Sequence, residues 1–311
     1  MLIAWVIFPL LLAVLSLGIG LLLERASGMR LPGALLPPLG MAGMIVIAVA
    51  LALSDPTAQW ITPVIVAAGI AGLTLLPGRL NRDGFHLRLD WFAPAAGVLV
   101  FAAYAAPFAA SGSTTLGGYV RLDDTASWLA IADWVAHHGV HLSGLQPSTY
   151  QLTLSYYLGS DYPVGGLVPL MIGDRVFSTN LAWLYQPAMA VILAMLGLAL
   201  YAMSERAIRN RALRMLAAFV ASQAAVLFGY VLWGGFKEPA TAAMIALVGA
   251  LAIPTLAAPP TLETAITAAA ATATGSARRG VGRPISVGIA SAATSATIAA
   301  VAGSLKPPQR T

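Results

Sequence analysis

Read along the chain, apolar residues fall into seven uncharged runs: Leu2–Leu23, Leu35–Leu53, Ile61–Leu76, Trp91–Ala110, Leu181–Met203, Met215–Trp233 and Ala240–Ala258. Each is close to the roughly 20 residues that cross a bilayer as a helix, the form in which every backbone polar group is satisfied internally. The pattern predicts an all-α polytopic transmembrane bundle of about seven spans. The first run is too long for a signal-peptide core and has no basic segment before it, so it reads as a retained span. Pro163–Phe177 is apolar but short and interrupted by Pro169, Asp174 and Arg175, which suits an interfacial or re-entrant helix.

The loops between the runs carry the polar information. Arginines 25 and 30, then 79, 82 and 88, then 206, 209, 211 and 214 fall in alternate loops. Ser54–Trp60 has no Lys or Arg, and the sixth loop has only Lys237. The positive-inside rule therefore predicts cytoplasmic odd-numbered loops, an outside N-terminus, and an extracytoplasmic fourth loop spanning residues 111–179.

Composition agrees: 59% of the 311 residues are hydrophobic and 9% charged, far below the roughly 25% charged residues of soluble domains. The net charge of +5 comes with no basic run. That balance fits loops beside anionic lipid and gives no reason to expect a nucleic-acid partner. The absence of cysteine excludes disulfides and thiolate metal sites. After Pro260 the chain becomes rich in Ala, Thr and Ser, predicting a biased tail over 259–311.

The long fourth loop holds five of the twelve acidic residues and three of the four histidines. Its opening, Leu122-Asp123-Asp124-Thr125, precedes an apolar stripe at Trp128, Leu129, Ile131, Trp134 and Val135, predicting an amphipathic helix from Asp123 to His138 with the carboxylates at its start. One Asp suffices for a cap. Two adjacent carboxylates also suit acid–base work or a divalent cation, although the residues fix no cofactor. His137, His138 and His141 straddle Gly139, which breaks metal-ligand spacing and favours helix-end histidines; no metal ligand is assigned. The loop tyrosines read as an interfacial belt or, alternatively, a sugar-stacking platform. Lys237, in the turn Trp233-Gly234-Gly235-Phe236-Lys237-Glu238-Pro239, reads as a solvated turn residue or as a point charge for a phosphate.

This order of features resembles the GT-C class of membrane glycosyltransferases, which use sugars carried on polyprenyl phosphate. The resemblance runs from about Trp91 to Ala258. Tyr119-Val120-Arg121-Leu122-Asp123-Asp124 opens a long outer loop, an amphipathic helix follows, and Asp161-Tyr162-Pro163-Val164-Gly165 is similar to the class's Tyr-Pro element. It implies sugar transfer from a lipid-linked donor to an extracytoplasmic acceptor at the surface of a bacterial cytoplasmic membrane. Asp123 or Asp124 would be catalytic, and Arg121, Tyr162, Arg175 and Lys237 would bind substrate. It divides the chain into added helices (1–90), a GT-C-like unit (91–258) and the tail. Recognisable sequence stops near Ala258, which implies the N-terminal portion of such an enzyme. The alternatives are a transporter component and a noncatalytic membrane protein. The transporter is disfavoured by uncharged spans and by the lack of broken helices in the hydropathy pattern.

Overall fold

A computed structural model of the chain describes residues 2–82, 90–111 and 123–257, without the side chains at 82, 109, 123, 124 and 254–257. All regular structure in the described part is helical. Ile3–Ser27, Gly33–Ala52, Ile61–Asn81 and Leu181–Met203 are long and apolar enough to cross a membrane. The pair Arg211–Ala221 and Ala225–Trp233 adds a fifth if it counts as one span, and Phe92–Phe108 is a shorter apolar helix. Each of the seven predicted runs holds helix in its described part, and among the described residues four to five helices meet the length and composition of a span. The tail after 257 and the residues around Arg88 and Arg121 lie outside the described part.

The helices alternate between two ends of the bundle. One is an arginine end. There Arg79 pairs with Glu24 and donates to the Leu31 carbonyl (2.8 Å), joining α1 (Phe8–Ser27) to α4 (Ile61–Leu73) and its extension α5 (Leu76–Arg82). Tyr201, near the end of α10 (Leu181–Met203), donates to Asp90 at 2.8 Å just before α6 (Phe92–Ser111). Arg206 reaches the Ile253 carbonyl at 3.4 Å, late in α13 (Lys237–Ala257).

The other is a cap end, where α2 (Leu36–Ala52) meets the first and last of three further helices, the short α3 (Asp55–Ala58) meets the first, and the middle one packs on the first. These are α7 (Asp123–His138), α8 (Thr149–Leu158) and α9 (Val168–Phe177). A 3-10 turn over Val164–Leu167 leads into α9, whose ten residues are about 15 Å long, too short to cross. The expectation of a non-crossing helix there agrees.

Glycines set how closely the first helices approach. A side chain at Gly18 would collide with the Gly69 carbonyl and one at Gly72 with the Gly18 carbonyl, so α1 and α4 touch backbone to backbone. Gly40 meets Ser16 and Gly20 meets Leu36 in the same way, between α1 and α2. Small residues are the usual means of such contact where lipid supplies no hydrophobic drive between helices.

The run Met215–Trp233 is expected as one continuous span. Instead it breaks after α11 (Arg211–Ala221) and resumes as α12 (Ala225–Trp233) with a 56° bend. The carbonyl of Ser222 freed at the break accepts the Tyr104 hydroxyl at 2.6 Å, and Ser222 itself is fully buried. A helix can break within a bundle where neighbouring protein repairs its backbone bonding. Residues 222–224 carry no charge.

Candidate active site at the cap end

The predicted amphipathic helix forms with the expected boundaries. Trp128, Ile131, Ala132, Val135 and Ala136 of α7 are buried, a spacing of three and four residues that turns one face inward. Gly139 ends the helix at φ 68°, where a β-carbon would press on the Ala52 carbonyl. The next residues fasten the helix end to α2: the Val140 amide donates to Ala52 (3.0 Å) and the His141 Nε2 to Leu53 (3.1 Å). Trp134 Nε1 donates to the His141 carbonyl at 2.9 Å.

The three histidines have separate partners. His137 Nε2 lies 3.0 Å from Asp174 Oδ2, His138 stacks on Trp134 with ring centroids 4.1 Å apart, and His141 is engaged as above. Among the described residues no group of three or more His, Cys, Asp or Glu is placed to hold a metal. The Asp123 and Asp124 carboxylates are not among the described side chains.

At its other end α7 meets the turn that joins α12 to α13. Gly234 has φ 86°, and a side chain there would strike the Thr125 hydroxyl, so the first turn of α7 rests directly on this glycine. The Gly234 carbonyl accepts the Tyr185 hydroxyl at 2.7 Å, and the neighbouring Gln186 donates to Val231 at 3.3 Å. Phe236 packs edge-on against Tyr185. Thr125, which follows Asp123-Asp124 in sequence, and Gly234, three residues before Lys237, thereby meet in one corner although they are over a hundred positions apart.

Three polar atoms in this corner are buried without a partner: Thr125 Oγ1, Trp128 Nε1 and Gln186 Oε1. Together they present a hydroxyl, an N–H donor and a carbonyl acceptor. Orphaned buried groups are uncommon and mark sites of strain, water or ligand chemistry.

The other predicted substrate residues divide. Tyr162 joins the corner: its ring stacks on Trp128 at 4.8 Å and meets Tyr157 edge-on at 5.5 Å. This aromatic cluster is packed rather than open, and of its members Tyr156 alone is strongly exposed, at 66%. Lys237, half exposed, opens α13 with Nζ 3.9 Å from Glu238. Arg175 lies elsewhere: its Nη2 donates to the Ala136 carbonyl at 3.2 Å, at the far end of α7, roughly 20 Å of helix from Asp123. Its role there is to tie α9 to the last turn of α7. Arg121 lies outside the described residues.

Burial, with the Asp133 carboxylate beside it, pushes the Tyr150 phenol up to about 12. Its hydroxyl reaches Asp133 Oδ2 at 3.4 Å and the Ala130 carbonyl at 3.3 Å, pinning α8 to α7.

A second polar group was missed from sequence. At the arginine end, Arg214 lies 5.0 Å over the Tyr201 ring, 3.5 Å from Glu205, and donates to the Ile208 carbonyl at 3.0 Å. Tyr201 carries the link on to Asp90. The four residues span more than a hundred positions, and each alone looks like an ordinary flank of an apolar run. The sole local signal is the four-residue spacing of Tyr201 and Glu205 at a helix end.

Compared with models of known families, with curated proteins and with solved structures, the chain matches none.

Proposed function

We propose that the chain transfers a sugar from a polyprenyl-phosphate donor to an acceptor at the membrane surface, with the cap end outside the cytoplasm. The observation that carries this reading is the corner where α7 rests on Gly234. An acidic helix start, a lysine-bearing turn and three unpartnered buried polar atoms converge there. Displacement at an anomeric carbon needs a base for the acceptor hydroxyl and a cation or dipole for the departing phosphate. Asp123 or Asp124 supplies the base, and Lys237 the positive charge. Thr125, Trp128 and Gln186 are the donor and acceptor types that sugar hydroxyls satisfy, and Tyr162 steadies Trp128. Arg175, spent at the opposite end of α7, is left out of the site. A divalent cation held by the acidic pair would stabilise the phosphate further.

A broken span is also a transporter device. Here the freed carbonyl at Ser222 is taken by Tyr104 and residues 222–224 carry no charge, which favours the transferase reading.

The test is a transfer assay on the purified chain with a polyprenyl-phosphate sugar. Asp123→Asn or Asp124→Asn is expected to lower turnover by roughly 10²–10⁴-fold with donor binding retained, the usual worth of a general base. Asp133→Asn, already committed to Tyr150, is expected to change it little. Undiminished transfer in both single variants and the double variant would reject the assignment. Absence of transfer by the parent chain would reject the activity, and solute flux through reconstituted vesicles without transfer would replace it with transport.

A further inference from the structure

Between α1, α6 and α10 runs a cavity of about 930 Å³, at the upper end of the range of ligand pockets. Its walls are apolar and include Ala13, Gly97 and Ala194, whose small side chains leave the channel unfilled. Its open side is framed by Leu10 (59% exposed), Val14 (44%) and Val98 (65%), so a hydrocarbon tail has a way in from the side. The charged and hydroxyl-bearing residues of its lining, Asp90, Tyr201, Glu205 and Arg214, gather at the arginine end.

What these four have left to offer decides the occupant. Arg214 is buried and committed to Glu205, to the Ile208 carbonyl and to the Tyr201 ring. The Tyr201 hydroxyl is spent on Asp90 Oδ2. Among their buried polar side-chain atoms the one without a partner is an acceptor, Asp90 Oδ1, and Glu205 beside it stays half exposed. Two carboxylates against one guanidinium leave the lining one net negative charge. A charge in an apolar groove calls for a partner of opposite sign, and an orphaned acceptor calls for a donor. A primary ammonium is both, a compact positive charge with several N–H donors. Arg206, Arg209 and Arg211 are exposed and outside the lining, so their repulsion of a cation passes through water, where salt screens it within ~10 Å.

We propose that this groove binds a long-chain primary amine, its apolar tail along α1, α6 and α10 and its protonated amino group at Asp90 and Glu205. The site is separate from the cap corner: Tyr185 and Tyr201 lie at opposite ends of α10, sixteen residues or roughly 24 Å apart. Its occupant is therefore not a reactant of the cap, and the proposal stands whether or not the chain transfers a sugar.

Native mass spectrometry of the full chain in a nonionic detergent tests this with four ligands that share one tail. Dodecylamine supplies charge and donor, dodecanol a donor without charge, trimethyldodecylammonium a charge without a donor, and laurate the opposite charge. One dodecylamine per chain is expected, retained at least about tenfold better than each of the others, the usual worth of a hydrogen bond to a charged group. Asp90→Asn keeps the shape of the side chain and removes its charge, and is expected to erase the preference for the amine over the alcohol. Ala13→Trp with Ala194→Trp fills the groove and is expected to abolish retention, while Ala67→Trp, on an exposed face of α4 outside the groove, keeps it. If these variants do not fold, the ligand series on the parent chain decides the point alone. Dodecanol, trimethyldodecylammonium or laurate retained as well as the amine, or retention of the amine unchanged by filling, would overturn the proposal.

Discussion

The α1–α2–α4 bundle and the cap of α7–α9 are held by opposite means. In the bundle, Gly18, Gly20, Gly40 and Gly72 let backbones touch, and specificity is a matter of missing side chains. The cap is held together by Arg175 at Ala136 and tied on by His141 at Leu53 and Val140 at Ala52, side chains and a loop amide meeting carbonyls. Shape fixes the first, and in the second directional polar contacts are added to the buried apolar face of α7. A change of volume should therefore break the bundle, while a change of backbone or proton should act on the cap.

The largest effect is expected from Gly72→Leu. Its side chain would enter the Gly18 carbonyl, where backbone cannot yield as a rotamer can, so the loss is at least about 3 kcal/mol. Yield and thermal melting in detergent should fall together; melting within a few degrees of the parent would mean that α1 and α4 are not this close.

Gly234→Val comes next. It combines a positive φ with a collision at Thr125, for about 2–3 kcal/mol, and acts on the junction of α7 with the α12–α13 turn. Faster proteolysis within 123–177 with the bundle's melting retained is the expected pattern. Loss of both together would erase the distinction between the two regions.

The smallest effect is on proton binding. Because the folded phenol of Tyr150 titrates at about 12 against an ordinary value of 10.0, folding favours its neutral form. That contribution is complete below pH 10 and is lost as pH rises toward 12. Ultraviolet titration should find one late-ionising tyrosine in the cap, absent in Tyr150→Phe. Ionisation of Tyr150 near pH 10 would mean that α8 is not pinned to α7.

The same contrast explains what could be read in the sequence. Helix positions were legible because lipid demands long uncharged runs, and α7 because its period and Gly139 are local signals. The break at Ser222 was not, since the hydroxyl that makes it tolerable belongs to Tyr104, 118 positions away. The resemblance put Arg175 among the substrate residues, and only the fold shows it bonded to the far end of α7. The corner at Gly234 and the polar cluster at Arg214 needed tertiary contact to exist at all.

Everything assigned to the cap depends on its lying across the membrane from the arginine end, and in a chain without cysteine that can be read directly. Single cysteines replace Ser160, at the cap, and Asn210, among the arginines, and intact cells are treated with an impermeant thiol reagent. Labelling at 160 with protection at 210 until the cells are opened is the predicted result. Equal labelling of both, equal protection of both, or the reversed pattern would contradict the orientation and with it the proposed site.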